Sequence, residues 1–288
     1  MTHPFDRTAE DIGNIVHLEH VNLTVPDQVM ATRFYVTALG LTRDPYLNTG
    51  AEVMWINGGT TQFHLPHGPA QHLRGRVDLV IPGLQSLMSR LHAAMPSMAG
   101  TEFAFAEQRG FVDVVCPWGN RLRCFEPDSG RFGPVELGIV QVVLDVPTGC
   151  ARGIARFYRD FFGAPAEVGV GQDGAPAAHI RVGVGQKLIF AETSALPGAY
   201  DGHHIQIYVA DFSGPHRRLS ERGLVTEESN QHQFRFRDLV DPQTGVQCYQ
   251  LEHEVRSMTN PLFRRPLVNR NPAQTTRNYR PGADQFAP

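Results

Sequence analysis

At 288 residues the chain exceeds an ordinary single domain and leaves room for two of about 140, each able to bury a core. Hydrophobic residues at 41%, charged residues at 19% and a net charge of -3 lack the basic excess that nucleic acid or an anionic membrane demands, so the expected partner is a small molecule. No run of eighteen apolar residues occurs, and the opening "MTHPFDRTAEDIGN" has neither the basic nor the apolar region of a signal peptide, which makes the cytoplasm the expected compartment.

Beyond an extension at 1–14, "LEHVNLTV" alternates as a strand and runs through Val25-Pro26 into a helix carrying Arg33-Phe34-Tyr35. "TTQFHLP" reads as a later strand of the same unit. "RGRVDLVIPGL" is a further alternating strand leading into the helix-like "QSLMSRLHAAM", and "CPWGNRLRCFEP" is a proline-led turn with a closing strand. A boundary falls near 128–137, where "PDSGRFGPVE" supplies the linker chemistry. The second half then repeats the first: "QVVLDVP" and Arg156-Phe157-Tyr158 answer "HVNLTVP" and Arg33-Phe34-Tyr35, "HHIQIYVADF" answers "RGRVDLVIPGL", and "DPQTGVQCYQLEH" answers "CPWGNRLRCFEP". The pattern is strand, helix and three strands, four times over. It stops near 256, and the remainder, rich in Pro, Asn and Arg, reads as an extended tail that either wraps another part of the assembly or is partly disordered. Cys116, Cys124, Cys150 and Cys248 form no CxxC pair and read as reduced, mostly buried thiols.

Duplicated βαβββ units with "LEHVNLTV" at the start and "CPWGNRLRCFEP" and "DPQTGVQCYQLEHE" at the ends resemble the vicinal oxygen chelate superfamily, which includes glyoxalase I, extradiol dioxygenases and bleomycin-resistance proteins. The resemblance spans roughly residues 15–255. It implies an α+β fold of four βαβββ units in two tandem domains, 15–128 and 137–255, with cupped mixed sheets and a C-terminal tail at 256–288.

In that family, strand positions one, four, five and eight supply metal ligands. The resemblance places His20 and His64 at the first two positions of the first half, with His67 and Gln62 within slippage distance, and Arg76 and Arg123 at the other two. In the second half it places Gln141, Phe190 or Glu192, His204, and one of Gln250, Glu252 or Glu254. Under the exchanged pairing seen in glyoxalase I, His20, His64, His204 and Glu252 form one site for a divalent metal ion (Fe, Mn, Ni or Zn), with Glu252 also the expected catalytic base. Gln141, Glu192, Arg76 and Arg123 form a mirror set without metal. Its arginines either pair internally with Glu192 or grip an anionic substrate, and Gln141 and Gln250 are further candidate substrate contacts. The implied activity is a glyoxalase-type isomerase or lyase acting on vicinal oxygens. An Fe(II) ring-cleaving dioxygenase and a metal-free binding protein are the alternatives, and the assembly is either a monomer or a homodimer.

Overall fold

The structure, a computed structural model, describes residues 6–46, 52–171, 174–195 and 198–283. In chain order the first unit contributes β1 (Ile15–Asn22), β2 (Thr42–Arg43), β3 (Val53–Gly58) and β4 (Thr61–Pro66). The second contributes β5 (Gly75–Val80), β6 (Ala104–Gln108), β7 (Phe111–Val115) and β8 (Arg121–Phe125). The third contributes β9 (Gly138–Pro147), β10 (Ala166–Val170), β11 (Pro176–Gly183) and β12 (Gln186–Thr193), and the fourth β13 (His204–Val209), β14 (Val225–Asn230), β15 (Gln233–Val240) and β16 (Gln247–Ser257).

Helices stand where the repeat puts them. The first, α1 (Gln28–Ala31), is capped by the Asp27 carboxylate and widens into π-type turns over Thr32–Ala38. Its counterparts are α2 (Leu84–Ala94), α4 (Ala151–Phe162) and α5 (Ser213–Ser220), while the short α3 (Ser129–Phe132) lies in the linker. The Phe-Tyr pairs of the repeat, Phe34 with Tyr35 and Phe157 with Tyr158, are buried in the core. All four cysteines are free thiols. No described helix is long and apolar enough to cross a membrane.

The strands form two eight-stranded mixed sheets, ordered β14-β15-β16-β13-β1-β4-β3-β2 and β10-β11-β12-β9-β5-β8-β7-β6. Units one and four build the first sheet, and units two and three the second. Each sheet therefore draws one unit from 15–128 and one from 137–255. The joins are antiparallel, β1 against β13 and β5 against β9, so the leading strand of every unit has its otherwise open edge covered by another unit. The second join is close enough to require glycine: a Cβ on Gly75 would lie 1.9 Å from the Val143 carbonyl oxygen.

Alternation along the joined strands gives the first sheet one apolar and one polar face. Ile15, Leu18, Val21, Ile205, Ile207, Leu251 and Val255 enter the core. His20, His204, Gln206 and Glu254 are also buried, but lie among polar groups. The tail, which has no helix or strand from 258 to 283, comes back over this sheet: Phe263 packs on Tyr208 with ring centroids 4.7 Å apart, and Arg265 pairs with Asp44 beside the Tyr46 and Trp55 rings.

Candidate metal centre

The site begins with an irregularity in β1. Opposite β13, Leu18 faces Ile207 and His20 faces Gln206, so two steps along β1 match one along β13 and Glu19 is the extra residue of a bulge. Consecutive side chains of a regular strand point to opposite faces, and a bulge relaxes that rule. The Glu19 carboxylate accordingly lies 3.4 Å from Nδ1 of its own neighbour His20. On the next strand pair, β13 with β16, His204 faces Glu252 and Gln206 faces Glu254. Gln206 is thus the register partner of both His20 and Glu254.

His20, His204 and Glu254, all buried, each offer one ligand atom to a group in which these atoms lie within 4.8 Å of one another. Nε2 of His20 is buried without a hydrogen-bond partner, as are both amide atoms of Gln206. Buried polar atoms normally find partners, so this concentration at one spot makes it the candidate site. His64 stacks on His20 at 3.6 Å between centroids and on Trp55 at 4.0 Å. Its Nε2 meets Gln62 Oε1 at 2.8 Å. Because the Gln62 amide nitrogen donates to Asn57 Oδ1 and Asp44 Oδ2, Oε1 must accept and His64 must carry its proton on Nε2.

Two arginines organise the carboxylates. Arg235 bonds both Glu252 and Glu254, and Arg256 meets Glu254 at 2.5 Å and Glu19 at 3.3 Å. Burial alone would raise the Glu254 pKa, but the Arg256 guanidinium and the neighbouring imidazoles and Arg235 hold it at about 2. Burial lowers the His20 pKa against the opposing pull of Glu19 and Glu254, and pushes His64 and His204 well below the usual imidazole range. At neutral pH the site therefore presents neutral imidazoles and an ionised carboxylate, the protonation states that ligate metals.

The expected residues distribute as follows. His20 and His204 come together, while His64 lies against them but outside the three-donor group. The carboxylate in that group is Glu254. Glu252, the choice made from the sequence, is held by Arg235 at 2.5 Å with its Oε1 3.7 Å from His204 Nδ1. Gln250 donates to Asp238. In the second sheet, Gln141 faces Asp78, which faces Arg123, the same register as His20, Gln206 and Glu254 in the first. There Arg76 pairs with Asp78 and Arg123 with Asp113, each at 2.7 Å, while Glu192 accepts from the Ala151 amide at the start of α4. The arginines are thus paired internally, though not with Glu192. This register was the missed signal: the repeat partner of Arg123 is Glu254, two residues beyond Glu252. Glu19, Gln206, Arg235 and Arg256 had no counterpart in the family positions and were not anticipated.

No family model and no curated protein sequence matches the chain. Among solved structures, glyoxalase I from Zea mays aligns with a TM-score of 0.60 at 13% identity, over 84% of this chain and 92% of that one. A Bacillus subtilis protein provisionally named a dioxygenase aligns with a TM-score of 0.58 at 16% identity, over 85% and 86%. The fold is the tandem glyoxalase-like fold of these proteins. Within it, the first sheet gathers a carboxylate and two imidazoles, one of them with an orphaned ring nitrogen, a donor set that fits a divalent transition-metal ion. At the matching positions the second sheet carries Gln141, Arg76 and Arg123, whose guanidiniums would repel such an ion.

Proposed function

We propose that the protein is a divalent-metal-dependent enzyme whose metal is held by His20, His204 and Glu254, and which acts on a small substrate presenting two adjacent oxygens. The observation that carries this reading is the unpartnered, buried Nε2 of His20 inside a three-donor group. When bound, an ion with three protein ligands supplies Lewis acidity and open coordination positions.

The chain's own residues prepare that position. Glu19 engages Nδ1 of His20, fixing the ring so that Nε2 is the free atom. Arg235 donates to Oε2 of Glu254 and Arg256 forms an ion pair at Oε1, and the two charges keep the carboxylate ionised. Glu19, Glu252 and Glu254 outnumber Arg235 and Arg256 by one, so the cluster retains a negative charge for a cation to meet.

Two histidines and one carboxylate are the donor pattern of non-haem iron oxygenases, and this favours an oxygen-consuming cleavage of a catechol-like substrate. A glyoxalase-type proton transfer is the second reading, favoured by the partly exposed Glu252 carboxylate beside His204, which could serve as a base. Metal analysis of the purified full chain, then incubation with Fe(II) and catechols in an oxygen electrode, tests both. Oxygen uptake and ring cleavage that vanish in His204→Ala support the first reading. Isomerisation of a hemithioacetal without oxygen uptake transfers support to the second. Metal content below about a tenth of an ion per chain, with none bound on titration, removes both and leaves a metal-free binding protein.

A further inference from the structure

Of the stretches outside the four repeated units, the linker and the C-terminal tail line one cavity. Together with the start of β1 they enclose a cavity of about 620 Å³, within the size range of small-molecule sites. Val135 and Leu137 of the linker, Leu262 and Leu267 of the tail, and Val16 of β1 give it apolar walls. Its polar lining includes Glu19 and Gln62. These two side chains touch the candidate metal centre, Glu19 at His20 and Gln62 at His64. The cavity therefore adjoins the centre through shared residues.

The tail segment at this wall is held in an unusual shape. Arg264 has φ 51°, the only positive φ at a non-glycine among the described residues. Around it the chain sends Phe263 onto Tyr208 and Arg265 to the buried Asp44, with Arg265 also over the Tyr46 ring at 4.6 Å. Arg264 itself also lines the cavity and is exposed, with its guanidinium 5.2 Å from the Phe263 ring. A cation thus stands beside the apolar walls, in a lining that also carries the Glu19 and Glu136 carboxylates.

We infer that this chamber binds the apolar body of an anionic substrate, an aryl group or short acyl chain, with Arg264 facing its negative charge. The inference rests on the metalloenzyme reading for the statement that the occupant is the substrate. The chamber as a binding site does not depend on it.

The test titrates the full-length, metal-loaded protein with 2-naphthoate by calorimetry and measures metal binding separately. One saturable site per chain is expected. Val135→Trp and Leu262→Trp, which fill the chamber from the linker and from the tail, should each weaken binding at least about tenfold, or ~1.4 kcal/mol, while Tm and metal content stay at wild-type values. Arg264→Gln should weaken 2-naphthoate more than the uncharged 2-naphthol. His20→Ala should lose metal but still bind 2-naphthoate, so that failure of the metal reading and failure of the chamber register in different experiments. Absence of saturable binding, or affinity unchanged in both tryptophan variants, overturns the proposal.

Discussion

Glu254 is a fully ionised side chain that is almost completely buried, and such a group persists only with partners. Arg256 and Arg235 provide them, and His204 Nε2 stands 3.8 Å from its Oε2. Glu252 shares Arg235 but is about a quarter exposed, so water can replace what it loses. The two carboxylates therefore separate experimentally. Glu254→Gln should lower metal affinity by at least the ~10–100-fold that loss of an outer-sphere partner alone costs, and should also destabilise the fold, because two guanidiniums lose their counter-charge. Glu252→Gln should change metal affinity by less than about threefold, since it removes at most one outer contact to His204. Metal titration of the two variants side by side checks this, and the opposite ranking would return the ligand role to Glu252. The sequence did not single out the carboxylate of the three-donor group for a local reason. The turn "DPQTG" offers no fixed count into β16, and "YQLEHE" places Gln250, Glu252 and Glu254 at alternate positions, so all three satisfy the same face rule. Only pairing against β13 distinguishes them.

That alternation makes β16 a two-sided element, with the candidate centre on one side and the core on the other. Between Glu252 and Glu254, His253 points inward, stacks on Phe236 at 4.4 Å and meets the Tyr158 hydroxyl at 2.5 Å. Burial pushes its pKa down to about 3, against the partial opposition of the Leu251 carbonyl. The unfolded chain titrates this ring near 6.5, so between pH 6.5 and 3 it takes up a proton that the folded chain refuses, and stability falls as pH falls through that window. The limiting slope is ~1.4 kcal/mol per pH unit for one such histidine. His20, His64 and His204 are lowered in the same direction and add to it. His253→Phe should cost about 1–3 kcal/mol at pH 7, because the Tyr158 hydroxyl loses its partner, yet it should flatten the decline between pH 6 and 4. Urea midpoints measured across that range check it. An unchanged slope would mean that His253 is protonated at little cost in the folded state. The strand itself was legible from its alternation, as was the helix it packs on, whose Phe157 and Tyr158 sit at repeat positions. The bulge at Glu19 was not, since no residue of "LEHVN" demands one, and the contacts that reward it come from β13 and β16.

Across the whole molecule, duplication decides which units meet. The repeat announced four equivalent units, and the split of usable ligands, histidines in the first and fourth and arginines in the second, suggested that the pairing crosses the linker. The sheets do join unit one to unit four and unit two to unit three. What the repeat could not announce is the use of the unrepeated stretches, because linker and tail have no internal counterpart to align with and their contacts are all long-range. The exchanged pairing has a mechanical consequence. Residues 1–132 alone would leave the edges of β1 and β5 open, since their partners β13 and β9 lie in the other half. Open edges flanked by core residues such as Val21, Val77 and Leu79 invite association. Expressed separately, 1–132 and 133–288 should therefore self-associate or aggregate rather than run as folded monomers. Mixed during refolding, they should yield a one-to-one complex with the elution volume of the intact chain, and that complex should regain the metal affinity that neither half possesses, since His20 belongs to one and His204 with Glu254 to the other. Size-exclusion chromatography with light scattering, followed by metal titration of each fraction, provides the readout. A monomeric, cooperatively folded 1–132 that binds the ion unaided would show that the joins between units contribute little and that the candidate centre is assembled differently.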